Sequence, residues 1–171
     1  MNTRTRAALR VLRDVLHLDA QCARRLVEVG HALTRALVDA DPDRIEQLQL
    51  VADTVAERQI ANDARRAAAA QAVAEALGMA QPPDAQPPAL AEIVRALPAP
   101  DARPIVEIRE RILGLHLELT MLNDRNQRLI ENFRNCTHAT VEVLVNAASR
   151  PQTYGPSGRA KAPTVFVDQA A

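Results

Sequence analysis

Aromatic side chains are nearly missing from this 171-residue chain: Phe133, Tyr154 and Phe166 are the whole set, 2% of residues, and tryptophan is absent. Hydrophobic content is nevertheless ordinary, at 47%, and is carried by Ala, Leu, Val and Ile. A thick globular core built on rings is excluded; thin aliphatic seams between helices fit. Net charge is missing too. Twenty-one acids balance 21 bases, all of the bases except Lys161 being arginine. That balance argues against nucleic-acid binding, which needs a basic stripe to neutralise phosphates. The N-terminus is locally basic, with Arg4, Arg6, Arg10 and Arg13 ahead of the first acid, Asp14. A solvated helix face explains this; contact with a membrane surface or an anionic partner is the alternative.

Long hydrophobic runs are lacking as well. Arg and Asp interrupt every apolar stretch, so neither a secretory signal nor a membrane span is expected, and the chain reads as cytoplasmic. The two cysteines, Cys22 and Cys136, stand far apart at seam-like positions and read as small buried thiols rather than a disulfide. Motifs of chemistry are absent: no HExxH, no CxxC and no glycine-rich phosphate loop. Glu28-x-x-His31 is one half of a di-iron pattern whose second half is missing. No cofactor, metal or enzymatic activity is expected.

Proline is present, and its placement divides the chain. None occurs before Pro42, none between Pro42 and Pro82, and none between Pro104 and Pro151. Helix interiors reject proline, which lacks an N–H and clashes with the preceding turn. The gaps therefore predict helices over about 3–38, 42–77 and 103–147, with a short amphipathic helix over 89–97. The first helix is assigned a seam of Val11, Val15, Leu18, Cys22, Leu26, Val29, Leu33 and Ala36, widened by Leu12, Leu16 and Leu37. Asp41, Pro42 and Asp43 supply a cap, a first-position proline and first-turn charge for the second. A joint this short sends the second helix back antiparallel. Its apolar face thins where Gln59, Asn62 and Arg66 stand at expected apolar positions, and Ala67–Ala70 has helix propensity but little to bury. Gly78 is a natural C-terminal cap. Residues 79–88 form a proline-rich joint, and 149–171 read as a disordered tail.

The longest proline-free segment organises the rest. Ile105, Ile108, Ile112, Leu115, Leu119, Leu122, Asn126, Leu129, Phe133, Cys136, Thr140, Val143 and Ala147 keep a spacing near 3.5 residues for about six heptads. A helix of about 45 residues is some 65–70 Å long, against about 52 Å for each hairpin helix. The hairpin cannot cover it, and an uncovered seam is an interaction site. Leu129, Ile130, Phe133, Val141 and Leu144 lie in the half left over. Asn126 is polar at a seam position, with Asn123 one turn before it. The pair either sets register or faces a partner that bonds the amides. The fold class is all-α: an elongated antiparallel three-helix bundle or coiled-coil hairpin with a long C-terminal helix and a loose tail.

The run Leu122-Asn123-Asp124-Arg125-Asn126-Gln127-Arg128-Leu129 resembles the Leu-Asn-x-x-Asn-x-x-Leu pattern of the FlgN family of flagellar export chaperones. Tyr154-Gly155-Pro156-Ser157-Gly158 is similar to the Tyr-Gly-x-x-Gly segment that follows the last helix there. The order of elements also matches over roughly residues 1–160. The Pro-rich joint at 82–88 and the alanine-rich second helix depart from it. The resemblance implies a helical chaperone domain over 1–148 and a tail over 149–171. It implies that the domain binds C-terminal segments of the hook–filament junction proteins FlgK and FlgL and keeps them unassembled. Cargo would lie on Asn123, Asn126, Leu129, Ile130, Phe133, Val141 and Leu144. Tyr154 would dock on the export-gate protein FlhA, and the export-apparatus coiled coil FliJ would recycle the empty chaperone. A self-associating coiled-coil adaptor and a metal-bearing helical bundle are the competing classes.

Overall fold

The computed structural model describes residues 2–79 and 88–149. Those residues form four helices: α1 (Thr3–Val38), α2 (Pro42–Ala76), α3 (Leu90–Ala96) and α4 (Ala99–Ser149). The fold is all-α, as expected. Most of the joint at 80–87 and the tail from residue 150 onward, including Tyr154, lie outside the described residues. The chain divides into two units, residues 1–127 and 128–171, the boundary falling within α4.

In the first unit, local chemistry sets the helix ends. The Asn2 side chain accepts a bond from Thr5 N at 2.7 Å and starts α1. The Asp41 carboxylate accepts from Arg44 N at 3.0 Å, with Pro42 behind it in the first turn of α2. Both hairpin helices stop in the same way. Gly78 N donates to Glu75 O at 3.1 Å and Met79 N to Ala74 O at 3.0 Å, with Gly78 at φ 71°. Ala40 N donates to Leu37 O at 3.3 Å and Asp41 N to Ala36 O at 3.0 Å, with Ala40 at φ 52°. A left-handed conformation crowds the Cβ of alanine but not of glycine. Ala40→Gly is therefore expected to stabilise the protein by about 0.5–1 kcal/mol, read as a higher urea midpoint at unchanged m-value.

The main core joins Leu9, Leu12 and Leu16 of α1 to Val73 of α2, Ile93 of α3 and Ile105 of α4. The seven-residue α3 is held there by Ile93, which is fully buried. Contacts at both ends fix directions. Thr5 Oγ1 lies 3.0 Å from Ala76 O, so α2 returns antiparallel to α1. Toward the other end Gly30 faces Leu122 and Thr34 bonds Asn126, so this part of α4 runs parallel to α1.

Several sequence expectations are corrected here. The expected α1 seam holds in part: Leu12, Val15, Leu16, Val29, Ala36 and Leu37 are buried, but Val11 and Leu18 are exposed, and Ala20, Ala23, Val27, Gly30 and Thr34, not on the expected line, are buried. A count of large apolar residues misses a line whose centre is small or polar. The alanine run does bury in part: Ala69 and Ala70 are core residues. Helix α4 starts at Ala99, ahead of the expected 103. Pro100 sits in its first turn, where a missing N–H costs nothing, and Pro104 is carried inside the helix. Cys22 is half-buried and Cys136 is exposed, so neither is the buried thiol expected.

The thin stretch of α2 has an explanation that its own sequence does not contain. Asp19 of α1 is buried to 1% exposure. Gln59 Nε2 reaches its Oδ1 at 3.1 Å, Arg66 Nη1 its Oδ2 at 3.1 Å, and Asn62 Nδ2 also donates to Oδ1. Asn62 Nδ2 further reaches Val15 O at 3.1 Å. Gln59, Asn62 and Arg66 stand where apolar residues were expected because all three answer one buried carboxylate.

Candidate functional site: the C-terminal face of α4

The seam of α4 changes character at Asn126. Before it, Ile105, Ile108, Ile112 and Leu122 are buried, and Leu115 and Leu119 half-buried. Asn126 itself is 4% exposed. Its Oδ1 accepts from Thr34 Oγ1 at 2.6 Å, and its Nδ2 donates to Gly30 O at 3.2 Å. Gly30 permits this approach: a Cβ there would lie 3.2 Å from Leu122 Cδ1. A seam amide satisfied from both ends by one neighbouring helix fixes the register of α4 against α1. Asn123 is exposed, so the two asparagines do not act as a pair. Of the residues expected to meet cargo, Asn126 is thus committed to the bundle, where burial leaves it almost no surface for a partner.

Beyond Asn126 the apolar residues are uncovered. Leu129 is half-buried. Ile130 is 50%, Phe133 46%, Val141 52% and Leu144 63% exposed. Val143 and Val145, not among the expected contact residues, are exposed as well. Spacings of three, four and eight residues from Leu129 through Phe133 and Val141 to Leu144 keep these groups on one broad face of the helix. Four of the polar residues between them have local partners. Thr137 Oγ1 donates to Phe133 O at 2.9 Å and Thr140 Oγ1 to Cys136 O at 2.8 Å. Their hydroxyls are thereby turned to the backbone. His138 and Glu142 lie 3.7 Å apart, one turn from each other. Such a face offers dispersion and desolvation to another apolar stripe.

The di-iron-like fragment is engaged elsewhere. Glu28 pairs with Arg25 at 2.9 Å and His31 with Glu118 at 3.0 Å. Among the described residues no group of His, Cys, Asp and Glu converges as a metal site would require. None of the described helices is long and apolar enough to cross a membrane. Leu113, Leu117 and Met121, off the expected seam, recur every fourth residue and are 50–66% exposed.

The family model for the FlgN protein matches residues 1–162. The chain belongs to the FlgN family. No curated protein and no solved structure matches it. The match covers the whole described structure, including the Asn123–Asn126 region and the uncovered face that follows. FlgN proteins are flagellar export chaperones, so this chain is a chaperone of flagellum biogenesis.

Proposed function

We propose that this FlgN-family chain works in the cytosol, binding C-terminal segments of FlgK and FlgL on the face of α4 from Leu129 to Leu144. The domain doing so is the helical region over 1–148. The observation that carries the proposal is the set of large apolar side chains left uncovered on one helix whose preceding seam is buried. A cargo helix laid on them anchors at steps of three and four. Full burial of one Leu, Val or Phe is worth about 1.5–3 kcal/mol, and these residues are about half-covered already. Five of them supply about 4–7 kcal/mol, which the costs of association, about 4–15 kcal/mol, largely consume, so this face alone gives weak, releasable capture and the cargo adds polar contacts beside it. Reversible capture suits a chaperone that keeps its cargo unassembled and then gives it up. The exposed Asn123 offers the amide contact that Asn126 does not.

Delivery is assigned to the tail. Tyr154 docks on FlhA, an assignment that rests on the family pattern around Tyr154-Gly155; recycling of the empty chaperone by FliJ rests on the family resemblance as a whole. One paired experiment separates the two halves. Phe133→Ala is expected to weaken FlgK-segment binding by about 1–3 kcal/mol at unchanged helix content, as for an interface aromatic. Tyr154→Ala should spare cargo affinity and reduce binding to the FlhA cytoplasmic domain. Unchanged affinity in the first variant moves the groove elsewhere, and equal gate binding by the second removes the tail assignment.

A further inference from the structure

A second binding surface lies on the hairpin, in the first unit. Helices α1 and α2 enclose an open groove of about 500 Å³ whose lining includes no residue of α4. Leu18, Cys22 and Val55 form its apolar part, and Arg25, Arg58 and Arg65 its charged part. Leu18 is 42% exposed, a large apolar group without cover. The three guanidiniums differ in how they are answered. Arg25 has only Glu28, across a solvent-exposed pair. Arg58 and Arg65 make no ion pair among the described residues, and the sequence says why. The positions three and four away from each on α2 are Thr54, Val55, Ala61 and Asn62 for Arg58, and Ala61, Asn62, Ala68 and Ala69 for Arg65. Neither arginine has an acid within helical reach. The contrast is Arg66, which takes both Asp63 and Asp19. The nearest buried carboxylate, Asp19, is thus already taken.

We infer that this groove receives an acidic amphipathic helix of a protein partner. Its apolar face would cover Leu18 and Cys22 above the buried Val55, and its carboxylates would answer Arg58 and Arg65. The two arginines are two helical turns apart, about 10 Å, which matches acids two turns apart on a helix lying along the groove. Two antiparallel helices already provide the ridges against which a further helix packs. Arginine forks hold carboxylates by paired hydrogen bonds, so the contact selects acidic over basic helices. The site is independent of the C-terminal face of α4.

The test uses the full chain with Cys136→Ser, which leaves Cys22 as its one thiol. The probe is a synthetic amphipathic helical peptide with leucines on one face and glutamates two turns apart beside it; the control replaces each glutamate with lysine. The glutamate peptide is expected to bind saturably and to slow alkylation of Cys22, and the lysine peptide to do neither. Arg58→Glu with Arg65→Glu should weaken the glutamate peptide at least about tenfold and admit the lysine peptide, a swap that loss of structure would not produce. Circular dichroism and the melting temperature check that the variant is folded. Equal binding of both peptides, or binding indifferent to the charge reversal, overturns the inference. So does Cys22 protection by anionic vesicles but not by the glutamate peptide, which would make the groove a lipid-headgroup site.

Discussion

Asp19→Ala is expected to lower the unfolding free energy by about 2–4 kcal/mol, read as a lower urea midpoint. The side chain of Asp19 has no exposed surface, and three α2 side chains spend donors on it. Removing it strands Gln59 Nε2 and leaves Asn62 Nδ2 only the Val15 carbonyl. Stranded buried donors cost about 1–3 kcal/mol. The loss of the ion pair adds less than a fully buried pair would, because Arg66 is 41% exposed and keeps Asp63. Asp19→Asn retains an acceptor for Asn62 and Gln59 and should fall between wild type and alanine. The cluster is not an optimised source of stability: Gln59 Oε1 and Asn62 Oδ1 are buried without a protein partner. Replacing Asp19, Gln59 and Asn62 together with leucine should therefore recover most of the loss. What that triple variant gives up is the pairing that aligns α1 with α2 at one register. An Asp19→Ala midpoint equal to wild type would contradict the cluster's structural role.

The second large effect concerns binding. Phe133→Asp with Leu144→Asp is expected to reduce FlgK- and FlgL-segment affinity by more than about a hundredfold. Each carboxylate must be desolvated against an apolar cargo stripe or hold the cargo off. Both positions are exposed and belong to residues 128–149, so the folding of residues 1–127 should be untouched. Substitutions at exposed sites away from special features shift stability by about 0.5 kcal/mol or less, and aspartate in a helix interior costs a similar amount. The melting temperature is thus the internal control: lost binding at an unchanged transition assigns the effect to the face itself.

Proline spacing and caps made the four helices legible in the sequence, because a missing N–H and a left-handed turn act locally. The seam of α4 was legible as far as Asn126 for the same kind of reason: isoleucine and leucine at heptad spacing need only their own helix to be read. The α1 seam was legible in part, since Asp19, Gly30 and Thr34 are interior only because Asn62, Leu122 and Asn126 lie opposite them. Gln59, Asn62 and Arg66 looked like defects on α2 because the carboxylate they serve is some 40 residues away in the chain. The same holds at the site. That Phe133 and Leu144 belong to an uncovered stretch followed from helix lengths, whereas the commitment of Asn126 to Thr34 required the neighbouring helix. At Arg58 and Arg65 the signal is local: no acid stands three or four residues from either.

The most direct test of the account is a calorimetric titration of the full chain with the C-terminal segments of FlgK and FlgL, beside the Phe133→Asp, Leu144→Asp variant. Saturable one-to-one binding to the wild type, lost in a variant with the same melting temperature, is the expected result. Absence of binding to either segment, together with a concentration-dependent dimer in sedimentation that the double variant abolishes, would contradict it and make the α4 face a contact between copies of this chain.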